Sequence, residues 1–194
     1  MIRTGEILTN PISGETLIFR QTAADTDGEL VEVECIVSPG GAVAGAHVHP
    51  AQEERFEVLQ GQVGFRAGRT MLIATPGEVV VVPAGTVHRF WNAGETDARF
   101  VCQVRPALEF EALIETMFGL ARDGKTNRKG LPNPLRMAVI AHAHRRDVRA
   151  PYVPALMQSA GLAVGAALGR AVGYSASYQP AEGIAVGEPV VQPS

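Results

Sequence analysis

Two histidines and a nearby carboxylate have the types and spacing of metal ligands. His47 and His49 are separated by one residue, and Glu54 follows five positions later. On a β-strand, residues two apart point the same way, so both imidazoles would enter one cavity. A later histidine, His88, follows a Pro-Ala-Gly turn and would approach from another strand. Three imidazole nitrogens and one carboxylate oxygen would then meet at one point, which predicts a metal site.

Each of these residues also has a structural alternative. A single histidine on a turn is commonly a surface residue, because histidine is only intermediate in its tendency to be buried. Four converging polar groups argue against this, since they would be costly to desolvate without an ion. Glu53 is the alternative carboxylate. Strand alternation favours Glu54, because it shares a face with Phe56 and Val58.

Residues 6 to 105 are predicted to form an all-β sandwich or barrel. Short alternating runs are separated by Gly, Pro, Asn and Asp at intervals of about ten residues. In "ELVEVECIV" the apolar residues Val31, Val33, Cys35 and Val37 share one face. The run "EVVVVP" at 78–83 is apolar on both faces and is predicted to lie between two layers. Further strands are predicted at 17–22, 55–59, 62–66, 69–74, 87–92 and 99–105.

After Pro106 the periodicity becomes helical. Apolar residues three or four apart predict helices at about 107–122, 134–146 and 154–172. The predicted domains are a β-barrel with N-terminal strands at 1–106, a helical extension at 107–178, and a poorly ordered tail at 179–194.

Two patterns in the extension are interpreted as structural. His142 and His144 are two apart on a predicted helix, where their rings would diverge by about 200° and could not chelate one ion. One face of the third helix carries four glycines, which would permit close approach of another helix or of the barrel and offer a candidate dimer contact. They are Gly161, Gly165, Gly169 and Gly173.

Composition limits the partners and the location. The formal charge of -3 leaves no basic excess for a phosphate backbone, so nucleic acid is not expected. The apolar run at 160–169 is about half the roughly 20 residues that cross a bilayer, so no membrane span is expected. The N-terminal sequence has no export signal, which predicts a cytoplasmic protein. Cys35 and Cys102 are expected to be small buried hydrophobes rather than a redox pair.

The spacing around the predicted ligands resembles both signature motifs of the cupin superfamily. In the first motif, gaps of five, one, four and six residues separate Gly41, His47, His49, Glu54 and Gly61. In the second, gaps of five, one, two and three residues separate Gly77, Pro83, Gly85, His88 and Asn92. The resemblance covers about residues 28–106. It points to bacterial single-domain cupins of the cupin 2 type with a helical C-terminal extension.

This resemblance implies a double-stranded β-helix, the cupin jelly-roll barrel, followed by about three α-helices. It further implies a homodimer and one divalent metal ion at one end of the barrel. The residues at the matching ligand positions are His47, His49, Glu54 and His88. Four nitrogen and oxygen donors without sulfur suit Fe, Mn, Ni, Co or Zn. Strand alternation predicts a mostly apolar substrate-binding wall formed by Phe56, Val58, Phe90, Asn92, Phe100 and Cys102.

Two functions stay open. The first is a metal-dependent enzyme, either an oxygenase such as a dioxygenase or a lyase or isomerase that acts through an enolate. Its substrate would be a small, partly apolar, chelating anion, because one carboxylate leaves a divalent centre with net positive charge. No general base can be named, so catalytic residues stay unassigned, and chemistry carried by the metal is favoured. The second is a non-catalytic protein that binds or senses a small ligand, since fold alone does not decide function.

Overall fold

The computed structural model describes residues 2–179, which form ten strands followed by three helices. The first five strands are β1 (Ile7–Asn10), β2 (Glu15–Gln21), β3 (Val31–Val37), β4 (His47–Val48) and β5 (Glu53–Gln60). The other five are β6 (Val63–Ala67), β7 (Thr70–Ala74), β8 (Val79–Val82), β9 (Val87–Asn92) and β10 (Ala98–Arg105). The helices are α1 (Phe110–Arg122), α2 (Pro134–Ala143) and α3 (Ala155–Ala171).

The strands form two antiparallel sheets. The larger sheet has the order β1-β2-β3-β10-β5-β8, and the smaller has the order β4-β9-β6-β7. From β3 onward the chain passes back and forth between the two sheets, and only β6 and β7 are successive strands of one sheet. This alternation is the jelly-roll topology. The predicted fold class, a double-stranded β-helix with C-terminal helices, is confirmed.

Alternating apolar side chains fill the space between the sheets. The inward residues of β3 are 0–4% exposed, as its sequence pattern predicts. Four phenyl rings meet across the barrel, with centroids 5.0–6.0 Å apart. They belong to Phe56, Phe65, Phe90 and Phe100. Both cysteines are buried and free, as predicted.

The prediction that the run 78–83 lies between two layers is wrong. β8 is the edge strand of the larger sheet. Val80 and Val82 are 8% and 2% exposed, whereas Val79 and Val81 are 45% and 47% exposed. This edge strand is therefore covered on one face only. Four consecutive valines conceal that asymmetry in the sequence.

The three predicted helices are present, with ends shifted by a few residues. The Asn133 side chain accepts a hydrogen bond from the Leu135 N–H at 3.0 Å, and Pro134 stands at the first helical position, so α2 begins there. Gly124 ends α1 with a φ of +65°, a conformation that favours glycine.

The glycine face of α3 packs against α2 of the same chain. A Cβ atom at Gly169 would lie 2.6 Å from the Leu135 carbonyl oxygen, and one at Gly165 would lie 2.8 Å from the Ala138 Cβ. The predicted close approach of a second helix is confirmed for these two glycines. They are covered within the chain, so the dimer contact suggested for this face is wrong at both positions.

Among residues 2–179, no helix is long and apolar enough to cross a membrane. The cytoplasmic location stays a prediction, as does the division into domains. Of the predicted tail at 179–194, residues 180–194 lie outside the described part of the chain.

Candidate metal centre

The four predicted ligands come together at one end of the barrel. β4 and β9 are neighbours in the smaller sheet, and His47 pairs directly with His88. His49 follows β4, while Glu54 extends from β5 in the larger sheet. One donor atom from each of the four residues lies within 4.8 Å of the others.

The turn before β9 sets the position of His88. Gly85 has a φ of +79°, and its N–H donates to the His49 carbonyl at 2.8 Å. The turn is thereby tied to the backbone of another predicted ligand. This confirms that the Pro-Ala-Gly sequence reverses the chain next to the site.

Backbone carbonyls fix the orientation of all three imidazoles. The Nδ1 atoms of His47, His49 and His88 face the carbonyl oxygens of Gly45 (2.9 Å), Asp147 (2.5 Å) and Thr86 (3.0 Å), respectively. A carbonyl oxygen only accepts hydrogen bonds, so each Nδ1 carries a proton, which leaves Nε2 as the atom that can bind a metal. Metal-bound histidines are commonly oriented by such bonds.

Burial and mutual charge also set the protonation states of the cluster. Burial and, to a smaller extent, the neighbouring imidazoles of His49 and His88 lower the pKa of His47 to about 4, which favours its neutral form. Burial opposes ionisation of Glu54, but the adjacent His49 and His88 hold the pKa of its carboxyl below the ordinary value. A neutral imidazole and an ionised carboxylate are the forms that bind metals.

Two buried atoms of the cluster lack hydrogen bonds. His88 Nε2 and Glu54 Oε2 lie 2.5 Å apart without the geometry of a hydrogen bond, and neither has another partner among residues 2–179. Their side chains are only 3% and 7% exposed. Buried polar atoms are almost always satisfied, so this pair calls for a further group. The donor set and the unsatisfied atoms both fit a divalent metal ion.

Two residues that support His49 were missed by the sequence analysis. Gln52 places its Oε1 3.2 Å from the His49 Nδ1, and its Nε2 donates to the backbone carbonyls of Pro106 and Ala107. Asp147 supplies the carbonyl that faces the same Nδ1. Gln52 lies inside the first motif and offered a local signal. Asp147 lies 98 residues from His49, and no spacing rule connects them.

The apolar residues predicted to line a substrate pocket form a closely packed core. Phe56, Val58, Phe90, Phe100 and Cys102 are 0–8% exposed. The Cys102 Sγ lies 4.0 Å from Glu54 Oε1, which places this side chain next to the cluster. A role of these residues in substrate binding stays a prediction.

Asn92, the sixth predicted wall residue, is engaged at the other end of β9 from His88. Its amide nitrogen donates to the carbonyls of Val37 and Thr96, each at 2.8 Å. Its Oδ1 accepts the Gly94 N–H at 2.8 Å. These bonds hold the turn after β9, so the structure does not bring this amide together with the cluster.

Only the first residue of the second His-x-His pair lies in a helix, because α2 ends at Ala143. His144 is buried and caps the end of α2, whereas His142 is partly exposed in its last turn. The group of possible metal ligands found among residues 2–179 includes neither of them.

Comparison with known proteins agrees with this fold and these residues. A family model described as "Cupin domain" matches residues 33–104, a range that contains all four predicted ligands. Residues of the chain are 36% identical over 88 residues to Germin-like protein subfamily T member 2 of Arabidopsis thaliana, covering 42% of this chain and 40% of that protein. They are 34% identical over 86 residues to Probable oxidoreductase virH of Hypocrea virens, covering 41% of this chain and 39% of that protein.

The chain thus spans about two fifths of the length of these curated relatives. A solved structure described as a predicted oxalate decarboxylase from Thermotoga maritima is 20% identical, with a TM-score of 0.48, and the match covers 55% of this chain and 98% of that one. The jelly-roll topology, both sequence motifs and the matching family model define the class of protein. Residues 33–104 of the chain therefore form a cupin domain.

Proposed function

We propose that this cupin is a metal-dependent oxidoreductase of the oxygenase type that acts on a small chelating substrate. The observation that carries the proposal is the convergence of three oriented imidazoles and one buried carboxylate within 4.8 Å. The name of the relative from Hypocrea virens, a probable oxidoreductase, favours the same class of chemistry.

The ligands proposed for the ion are His47, His49, Glu54 and His88. A bound Fe, Mn, Ni, Co or Zn ion would supply Lewis-acid chemistry and, for the redox-active metals, electron transfer. The chain keeps the three imidazoles correctly turned through their backbone hydrogen bonds. Glu54 contributes the one negative charge, so a divalent centre keeps a net positive charge that favours an anionic chelator.

Access to the centre is proposed from the side of His47. This imidazole is partly exposed, whereas His49 and His88 are 5% and 3% exposed. The Cys102 thiol beside Glu54, and the phenyl rings that follow the ligands on β5 and β9, add apolar surface near the centre. Such a site favours a small, partly apolar enolate, hydroxy acid or phenolate.

A lyase or isomerase that acts through an enolate would use the same ligands and the same substrate class. A non-catalytic binding or sensing protein is the second candidate.

The test combines metal analysis with turnover. The chain is purified, stripped of metal, and reloaded anaerobically with Fe(II), Mn(II), Ni(II), Co(II) or Zn(II). Oxygen uptake and product formation are then followed with a panel of enolisable and phenolic compounds. We expect one ion per chain and oxygen uptake with a redox-active metal.

The matched variants are His88→Ala, which removes a proposed ligand, and His142→Ala, which removes a partly exposed helix histidine. Loss of metal and turnover in the first alone supports the proposal. Product formation without oxygen uptake would favour the lyase or isomerase, and micromolar binding without turnover would favour the binding protein. Failure of every ion to bind would refute all three.

A homodimer is also proposed, with the free edge of β7 as its contact. β7 is the edge strand of the smaller sheet, and its side chains Met71 and Ile73 are 65% and 57% exposed. An exposed apolar edge is prone to pair with another strand, and an antiparallel pair of identical strands is self-complementary about a two-fold axis. Light scattering should show a dimer in the wild type and a monomer after Ile73→Lys.

A further inference from the structure

The segment that follows α2 reaches back to the metal centre. Residues 144–149, hereafter segment 144–149, lie against β4 through an antiparallel bridge between Val48 and Arg149. The Arg149 N–H donates to the Val48 carbonyl at 2.9 Å, and the Val48 N–H donates to the Arg149 carbonyl at 3.1 Å. Val48 lies between the two ligand histidines of the first motif. The segment therefore pairs laterally with the strand that carries the site.

The same segment orients one ligand directly. The His49 Nδ1–H donates to the backbone carbonyl of Asp147. The other two imidazoles use carbonyls only two residues away in their own strands or turns, at Gly45 and Thr86. His49 is thus the ligand whose orientation depends on the helical extension.

Asp147 is held in place by its side chain. Its Oδ1 accepts the Glu109 N–H at 2.8 Å, just before α1, where the positive end of the helix favours a carboxylate. Its Oδ2 faces the His144 ring at 3.7 Å. The residue is 1% exposed. Because the Asp147 carboxylate is buried and held by these contacts, the backbone carbonyl of the same residue has little freedom to move.

We propose that segment 144–149 is a latch that positions His49, so that docking of the helical extension and metal binding stabilise each other. Asp147 is a positioning residue in this scheme and does not touch the ion. The inference rests on the proposed metal site. Loss of such an orienting contact weakens metal affinity by about 10- to 100-fold in known sites. Because coupling is reciprocal, metal binding strengthens docking of the segment by the same factor.

Two matched pairs of variants test the latch in the full chain. Asp147→Ala removes the acceptor for the Glu109 N–H, whereas Asp147→Asn keeps an oxygen there. Arg149→Pro removes the N–H that bonds to Val48, whereas Arg149→Ala keeps it. Affinity for Ni(II) or Mn(II) is measured by competition with a chromogenic chelator, with circular dichroism as a check on folding. We expect about 10- to 100-fold weaker binding in Asp147→Ala and in Arg149→Pro. The controls Asp147→Asn and Arg149→Ala should bind the metal as the wild type does.

A second measurement needs no variant. Hydrogen exchange of the Arg149 amide in the wild type should slow by about 10- to 100-fold when the metal is added. Equal metal affinity in all four variants, or unchanged exchange at Arg149, would overturn the latch while leaving the metal site intact. A wild-type chain that binds no ion would instead refute the proposed function on which the latch depends.

Discussion

The close contact between α2 and α3 gives a quantitative prediction for a pair of glycine substitutions. A Cβ at Gly169 would lie 2.6 Å from the Leu135 carbonyl oxygen and 2.6 Å from the Val139 Cγ2. One of these atoms belongs to the backbone of α2 and cannot move without displacing the helix. Gly161 lies on the same helix with nothing within 4 Å of its added Cβ.

Each Gly→Ala change should raise the free energy of unfolding by about 1 kcal/mol through the higher helix propensity of alanine. Gly161→Ala should therefore be more stable than the wild type. Gly169→Ala carries in addition the cost of overpacking, typically about 1–3 kcal/mol. The shared gain cancels in the comparison, so the two variants should differ by about 1–3 kcal/mol, or about 2–12 °C in Tm for a chain of this length.

The assay is thermal and urea unfolding followed by far-ultraviolet circular dichroism, on both variants and the wild type in the same buffer. Gly161→Ala should melt above the wild type and Gly169→Ala clearly below Gly161→Ala. Equal stability of the two variants would show that α3 does not pack on α2 through Gly169. That result would contradict the contact between α2 and α3 but not the order of the strands and helices.

Three further changes test other parts of the fold. Asn92→Ala leaves the carbonyls of Val37 and Thr96 without their amide donor. The free energy of unfolding in urea should fall by about 1–3 kcal/mol, and the metal content should stay unchanged. A loss of metal would instead place Asn92 at the site. Gly64→Ala would place a Cβ 2.1 Å from the Trp91 indole, and should shift the emission of this single tryptophan to longer wavelength by displacing the ring; unchanged emission would contradict that contact. Burial raises the pKa of Glu15 from 4.5 to about 7. The folded chain therefore binds this proton more tightly than the unfolded chain, and its stability falls as the pH rises from about 4.5 to 7. In chelator, the stability of Glu15→Gln relative to the wild type should rise across that range by about 3 kcal/mol, and a constant difference would refute it.

Local spacing in the sequence was enough to predict the ligand cluster. His47 and His49 are two apart on an extended chain, and the alternation of β5 turns Glu54 inward while Glu53 stays exposed. These relations involve only neighbouring residues. The direct pairing of His47 with His88 is set by the register of β4 against β9, which the two cupin motifs encode without revealing its geometry.

The same alternation was an incomplete guide to the substrate wall. Asn92 is buried on the inward face of β9, as its parity predicts. It nevertheless lies four residues from His88, a distance of about 13 Å along a strand. Parity assigns a side chain to a face but does not place it along the barrel axis. The hydrogen bonds of Asn92 show that this residue closes the turn after β9.

The division of the chain at residue 106 followed the change from strand to helix periodicity, yet the contacts around the proposed metal centre cross that point. Gln52 in the first motif holds the carbonyls of Pro106 and Ala107, and Asp147 holds both His49 and the N–H that precedes α1. A barrel that ended at residue 106 would deprive the His49 Nδ1–H of the Asp147 carbonyl and leave it only the Gln52 Oε1 at 3.2 Å. Periodicity predicts whether a segment forms a strand or a helix. It does not predict that a backbone carbonyl after helix α2 orients a histidine carried by the strands. The extension is thus as much a part of the centre as the strands that carry the ligands.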